Sequence, residues 1–313
     1  MKIATISQVS LSTSRCIGVS FLLLSALLVS ISQVYYANQV QGVHPFLFTG
    51  VSFFITAIIF NVIALKQRGG RFNISVQKYS NDLVKLNVSS VLAFMGFYYA
   101  LKFIEPAIVS SLEMGVGPFF VIVVTAIITK KKIRATRAQW IITIGTFAAS
   151  LLLMMTALLG LSGVKVTNNT DFVYGITASV LCGLGAVLCT IYSKRLSNAG
   201  WTSSSILAHR FYGIVVISFL MTYDILPTYL MANIDWIILV TIFGVAIPTF
   251  LLQKGIQYCE PFVVMMSICF IPAFTFVFQL ADPRIEWSTT SLIGVLMLFT
   301  LGVASIFSEN KSQ

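Results

Sequence analysis

Long apolar blocks and short polar stretches alternate along the whole sequence. Ten apolar blocks of roughly 20 residues can be delimited, about the length at which a helix crosses the hydrocarbon core of a bilayer. The longest polar stretch, 66–82, contains Gly69-Gly70 and mixes apolar residues with Arg71 and Lys78, which is typical of a short interfacial segment. The pattern predicts an all-α integral membrane protein with ten transmembrane helices. The blocks are 16–37, 44–64, 84–103, 106–129, 138–160, 172–192, 204–223, 235–253, 261–280 and 289–307.

The second half of the pattern repeats the first. Glu105-Pro106, between the third and fourth blocks, recurs as Glu260-Pro261 between the eighth and ninth, 155 positions later. Because five helices are an odd number, the second copy enters the membrane from the opposite side. We therefore predict two inverted five-helix repeats, an arrangement common among secondary transporters. The predicted segments are an N-terminal segment 1–15, a first repeat 16–160, a linker 161–171, a second repeat 172–307 and a tail 308–313.

Composition agrees with a membrane protein. Hydrophobic residues make up 57% of the 313 and charged residues 10%, whereas soluble domains carry about 25% charged residues. The net charge of +10 does not indicate a nucleic-acid partner, because the basic residues sit in short loops, where membrane topology places them.

The basic residues also predict an orientation. With ten spans, 16 Lys and Arg fall on the side of the N-terminus, and only Lys102, Lys165 and Arg284 fall on the other. Since cytoplasmic loops carry the excess of positive charge, we expect both termini in the cytoplasm and the protein in the lipid bilayer of a bacterial inner membrane.

Several segments resemble a known family. Residues 98–104 (YYALKFI), followed by Pro106 and by Pro118-Phe119-Phe120, resemble the third and fourth helices of EamA-type transporters of the drug/metabolite transporter superfamily. Residues 186–196 resemble the end of the sixth helix of that family, and the resemblance covers about 16–307. It implies ten helices and the transport of a small organic solute.

The chain also departs from the family pattern. The Gly-Glu-basic turn that usually closes the fourth and ninth helices is replaced by residues 130–132 (KKK) and 282–284 (DPR). Ser52 lies near the place of an arginine in the second helix, whereas Arg210 keeps its counterpart in the seventh. We interpret Arg210 as structural, with its side chain extending to the cytoplasmic interface and too far in depth from Glu113 for a salt bridge.

Glu113 is the main candidate for function. It lies about seven residues into the fourth helix and shares a face with Ser110, Met114 and Gly117. A carboxylate is costly in lipid, so it should face a wet cavity between the repeats. There it could bind a cationic or amino substrate, or a coupling proton. The alternative is a structural acid, neutralised by protonation or by Lys102.

Other residues are candidates for substrate contact or for helix packing. Polar tips on apolar bodies suit a mostly apolar pocket, although tyrosines also form interfacial belts. Prolines can kink a helix, and small residues four apart allow close helix approach. The candidates for substrate contact, besides Glu113, are Gln33, Tyr36, Tyr98, Tyr99 and Met114; those for packing or gating are Gly117, Pro118, Pro272, Gly175, Ser179 and Gly183.

No motif for catalysis, a metal or a cofactor occurs, and the five cysteines are interpreted as small buried hydrophobic residues. We therefore expect a secondary transporter or facilitator of a metabolite, an amino acid-like or a drug-like solute, working by alternating access and driven by a gradient. The alternatives are a membrane-embedded enzyme and a non-transporting receptor or sensor. The substrate, the direction of transport, the coupling ion and the oligomeric state stay open.

Overall fold

The fold is described from a computed structural model of the chain, covering residues 2–67, 76–130, 135–163 and 169–310. The expected interfacial segment around Arg71 lies largely outside these ranges. So do seven of the charges used for the predicted orientation, namely Arg68, Arg71, Lys131, Lys132, Arg134, Lys165 and Lys311.

The ten predicted helices are confirmed. Within the described ranges, nine helices are long and apolar enough to cross a membrane, and a shorter apolar helix follows them. The first of these spans is the later part of a longer helix that begins at Lys2. The eighth span is likewise the later part of a helix that begins at Leu226. The helices are α1 (Thr13–Gln39), α2 (Pro45–Gln67), α3 (Ser80–Ala100), α4 (Pro106–Ile128), α5 (Arg137–Leu158), α6 (Thr170–Asn198), α7 (Ser203–Thr222), α8 (Met231–Tyr258), α9 (Pro261–Gln279) and α10 (Thr289–Ser305).

The packing of the helices repeats when the two halves are exchanged. Helix α1 packs against α8 and α9 of the second half, and α6 packs in the same way against α3 and α4 of the first. The equivalent pairs α2–α7, α4–α9 and α5–α10 also contact each other. This is the arrangement that two inverted five-helix repeats produce.

Small residues let α6 approach α3 and α4 very closely. A Cβ atom on Gly183 would lie 2.8 Å from the carbonyl oxygen of Glu113, and one on Gly185 would lie 2.4 Å from the backbone nitrogen of Ala93. Backbones can come this near only where a side chain is missing. The approach places the Glu113 turn of α4 directly beside α6.

Large apolar side chains cover the outside of the bundle. Ile127, Ile141 and Leu220 are 69–71% exposed. A continuous apolar outer surface of this kind is unfavourable in water and favourable in hydrocarbon. The outer surface therefore fits a bilayer environment.

Four of the helices are irregular in their middle portions. Helices α3 and α8, which are equivalent in the two halves, contain π-helical turns at Val91–Met95 and Thr241–Ala246. Helix α7 is interrupted between Ala208 and Tyr212, and α9 is interrupted just ahead of Pro272. By contrast, α4 runs through Pro118 as one helix. Such irregularities are frequent at functional sites.

Candidate functional site

A cavity lies between the two halves of the bundle. Counted with its open mouth, the space measures about 850 Å³. Its walls come from the equivalent sets α1, α3, α4 and α6, α8, α9, and α7 adds one residue. The lining residues are Ser25, Val29, Ala93, Phe94, Phe97, Tyr98, Glu113, Met114, Ala186, Thr190, Arg210, Gly244, Val245, Pro248, Thr249, Leu252, Ile256, Ile268 and Ile271.

The serine and threonine hydroxyls on the cavity wall bond to the protein backbone. The Ser25 hydroxyl donates to the carbonyl of Pro248 at 2.8 Å and so joins α1 to α8. The hydroxyls of Thr190 and Thr249 donate to carbonyls of their own helices at 2.9 and 2.6 Å. Among the lining residues, Glu113 and Arg210 carry the only formal charges. The cavity is therefore mostly apolar, with one acidic and one basic group.

Glu113 lines the cavity from α4 and is partly exposed. Its carboxylate accepts a hydrogen bond from the Cys182 thiol of α6, and a thiol is a weak donor. Within the described ranges no Lys or Arg forms a salt bridge with Glu113. The described residues therefore stabilise the negative charge of Glu113 only weakly.

Arg210 lies at the interruption of α7 and is 2% exposed. Its Nε donates to the Ser90 hydroxyl at 3.0 Å, and its guanidinium lies 5.3 Å from the Phe94 ring centroid and 5.7 Å from that of Phe211. Its Nη1 is buried without a hydrogen-bond partner among the described residues. The expectation that this side chain extends to the membrane interface was wrong, because Ser90 and the two rings hold it inside the bundle.

Two asparagines stabilise the interruption of α7. The Asn61 amide of α2 donates to the carbonyl of Ala208 at 3.0 Å. The Asn87 amide of α3 donates to the carbonyl of His209 at 2.8 Å, and its oxygen accepts from the Gly213 N–H at 3.0 Å. These bonds satisfy backbone groups that an unbroken helix would pair internally, and they fix the position of Arg210.

An aromatic cluster lies on the side of the cavity away from the N-terminus. Tyr36 contacts Phe48 and Tyr98, with ring centroids 4.5 and 4.8 Å apart, and Phe48 stacks on Trp236 at 5.6 Å. Tyr98 belongs both to this cluster and to the cavity wall. The cluster therefore borders the cavity on that side.

The candidates for substrate contact divide into two groups. Glu113, Met114 and Tyr98 line the cavity, whereas Tyr36 is buried behind Tyr98. Gln33 is buried away from the cavity wall, where its amide donates to Ser110 at 2.9 Å and also to Thr275. Tyr99 stacks on Phe46 and is outside the cavity.

The candidates for packing or gating lie at contacts between helices. Gly117 lies against Met265 of α9, Gly175 against Phe103 and Ile104, and Gly183 against the backbone of Glu113. The Ser179 hydroxyl donates to the carbonyl of Gly175 at 2.8 Å. Pro118 is buried in α4, and Pro272 stands at the start of the second segment of α9.

Arg210 and Ser90 are among the residues of this site that sequence reasoning did not assign to it, as are the lining residues Ser25, Thr190 and Thr249. An arginine inside an apolar block is itself a signal of function. However, the distance of Arg210 along α7 from the membrane surface also fits a side chain that reaches the interface, and the contact with Ser90 joins residues 120 positions apart. Within the described ranges, no group of three or more His, Cys, Asp or Glu side chains is placed to hold a metal ion.

Comparisons with known proteins agree with this fold. Residues 16–155 match the model of the EamA-like transporter family. A crystal structure of another protein is similar to this chain with a TM-score of 0.66 and 17% identity, over 96% of this chain and 99% of that one. At that identity the likeness concerns the fold alone. A comparison with curated proteins gives no match.

Proposed function

Because residues 16–155 match the model of the EamA-like transporter family, part of the drug/metabolite transporter superfamily, we propose that the protein is a secondary transporter or facilitator of a small organic solute. The observation that carries the proposal is the cavity between the halves, whose walls come from equivalent helices of both. Inverted-repeat transporters bind their substrates at such an interface.

The same arrangement supports an alternating-access mechanism. If one half rocks against the other, the cavity opens first to one face of the membrane and then to the other. The π-helical turns of α3 and α8 and the interruptions of α7 and α9 are the points at which these helices can bend. We assign the aromatic cluster Tyr36, Phe48, Tyr98 and Trp236 as the closure on the side away from the N-terminus.

Glu113 is proposed to bind a cationic or amino group of the solute, or a coupling proton. Its carboxylate lies on the cavity wall, and Cys182 is only a weak donor to it. A carboxylate at this depth needs a positive partner, water or a proton to offset the cost of leaving water. The exchange of such a partner during transport would couple Glu113 to the transport cycle.

The experiment begins by identifying transported solutes. Metabolites in the medium of overexpressing and deleted cells are compared, and transport of each solute that differs is then measured in vesicles at several pH values. Glu113→Gln keeps the shape and hydrogen bonding of the side chain but cannot carry a negative charge. The variant should reach the membrane at normal levels and lose most transport, or lose its pH dependence.

The matched control is Glu260→Gln, which changes the exposed acid of the other Glu-Pro corner and should leave transport unchanged. Normal transport by Glu113→Gln with an unchanged pH profile would exclude both roles for Glu113. If no solute crosses vesicles that contain the wild-type protein, the transporter proposal itself fails.

A further inference from the structure

We propose that Arg210 binds the carboxylate of a solute that has a largely apolar body. This inference rests on the proposed transport function and names the substrate class of the same cavity. It concerns the negatively charged end of the solute, whereas Glu113 would bind a positively charged group.

The first argument is the fixed position of the guanidinium. Ser90 accepts from Nε, and Phe94 and Phe211, whose ring centroids are 6.0 Å apart, support the guanidinium from α3 and α7. An arginine held in this way loses little freedom when it binds a planar anion, because its donors are already oriented.

The second argument is the incomplete pairing of the guanidinium. Nη1 is buried without a partner among the described residues, and there no Asp or Glu forms a salt bridge with Arg210. An unpaired donor on a buried charged group is costly. Ring contacts offset part of this cost, and a bound carboxylate would supply both the missing acceptor and the missing counter-charge.

The third argument concerns which anion fits. Arg210 is the only Lys or Arg among the lining residues, and Glu113 adds a negative charge to the same cavity. A phosphate monoester carries nearly two negative charges at neutral pH and would meet one cation and one acid. A carboxylate carries a single charge and matches the planar fork of one arginine.

The walls describe the rest of the solute. Phe94, Phe97, Met114, Leu252 and Ile268 contribute apolar surface to the cavity. Burial of an apolar chain or ring against these side chains is favourable. A carboxylate joined to an aliphatic or aromatic body is therefore the class that uses both kinds of wall.

The test measures binding with matched probes on the purified full-length protein. One set is phenylalanine, 3-phenylpropanoate, which lacks the amine, and 2-phenylethylamine, which lacks the carboxylate. A second set is leucine, 4-methylpentanoate and 3-methylbutylamine. Ligands that bind the folded state raise its thermal unfolding temperature. We expect acids of at least one set to stabilise the wild-type protein, and the matching amine to do so less.

Variants then connect this binding to Arg210. Arg210→Gln should weaken carboxylate binding about 10- to 100-fold, the loss expected for a charged hydrogen bond, and should leave binding of the amine unchanged or stronger. Ser90→Ala keeps the charge but releases Nε, and should weaken carboxylate binding about 3- to 10-fold. It serves as the second variant if Arg210→Gln does not fold. Arg195→Gln, at a half-exposed arginine paired with Asp82, is the control and should change nothing.

Three results would overturn the inference. In the first, the amines bind the wild-type protein as tightly as the acids. In the second, carboxylate binding is unchanged in Arg210→Gln or in Ser90→Ala. In the third, no carboxylate probe binds up to its solubility limit. Each of these leaves the transporter proposal intact if vesicles still move another solute. Conversely, Arg210-dependent carboxylate binding without any transport would support this site and refute the proposed function.

Discussion

At the scale of single residues, the two equivalent Glu-Pro corners differ in their surroundings. Glu260 is exposed, whereas Glu105 is 1% exposed and accepts hydrogen bonds from the Gln279 amide at 2.5 Å and from the Gly163 N–H at 2.9 Å. Burial raises the pKa of the Glu105 carboxyl, although the bonds from Gln279 and Gly163 oppose the rise. Glu105 thus ties the start of α4 to the end of α9 and to the segment before α6.

The raised pKa of Glu105 predicts how stability depends on pH. As pH rises, the folded protein keeps a proton on Glu105 that the unfolded chain has already released. The contribution of Glu105 to stability is therefore complete below the unfolded-state pKa of 4.5 and is lost as pH rises through the higher folded-state pKa. Glu105→Gln should remove that loss. The thermal unfolding temperature in detergent should therefore fall less steeply between about pH 4 and pH 8 for Glu105→Gln than for the wild-type protein.

The control for this prediction is Glu260→Gln. It removes an exposed carboxyl from the equivalent corner and should keep the wild-type slope. Equal slopes for Glu105→Gln and wild type would show that the proton on Glu105 does not contribute to the pH dependence.

At the scale of helices, α7 is interrupted without a proline or glycine at the interruption itself, which holds His209, Arg210 and Phe211. Its free backbone groups are paired by Asn61 of α2 and Asn87 of α3. In a bilayer an unpaired backbone group has no water to bond. The interruption is therefore stabilised by neighbouring helices and depends on their side chains.

Asn87→Ala should be more damaging than Asn61→Ala. Asn87 pairs both the His209 carbonyl and the Gly213 N–H, whereas Asn61 pairs only the Ala208 carbonyl outside its own helix. Each buried group left unpaired costs about 1–3 kcal/mol, so the loss of unfolding free energy should be roughly twice as large for Asn87→Ala. Chemical unfolding in detergent measures both values, and a larger loss for Asn61→Ala would contradict the assignment.

At the scale of the whole molecule, the exchange of partners between the halves places the cavity at their interface. Helix α1 is packed against the second half and α6 against the first. Each half therefore contributes an outer helix to the other, and neither half alone encloses the cavity. The arrangement also requires that five spans separate the loop after α5 from each end of the chain.

That count of spans predicts the membrane topology. A reporter fused after Gly160, between α5 and α6, should lie on the opposite side of the membrane from one fused after Asn310. The excess of basic residues predicts that the Asn310 fusion is cytoplasmic. A phosphatase fusion is active outside the cytoplasm, and a fluorescent-protein fusion is fluorescent inside it. If both positions give the same result with each reporter, the ten-helix topology is refuted.

The membrane class, the number of helices and the inverted repeat could all be predicted from hydropathy and internal similarity in the sequence. In lipid each helix must satisfy its own backbone, so length and hydropathy alone identify it. The predicted ends were wrong where a polar helical turn continues the span. Helix α3 begins at Ser80 instead of 84, and α6 runs on to Asn198 instead of 192, where Arg195 pairs with Asp82.

Which polar side chains face the cavity could not be predicted in the same way and depends on how the helices pack. Tyr98 and Tyr99 are adjacent and alike in sequence, yet Tyr98 lines the cavity and Tyr99 stacks on Phe46. The same holds for Arg210, which is held inside the bundle by Ser90, 120 residues away. Hydropathy reports whether a segment enters the membrane, whereas the direction of a side chain around the helix depends on contacts between helices distant in sequence.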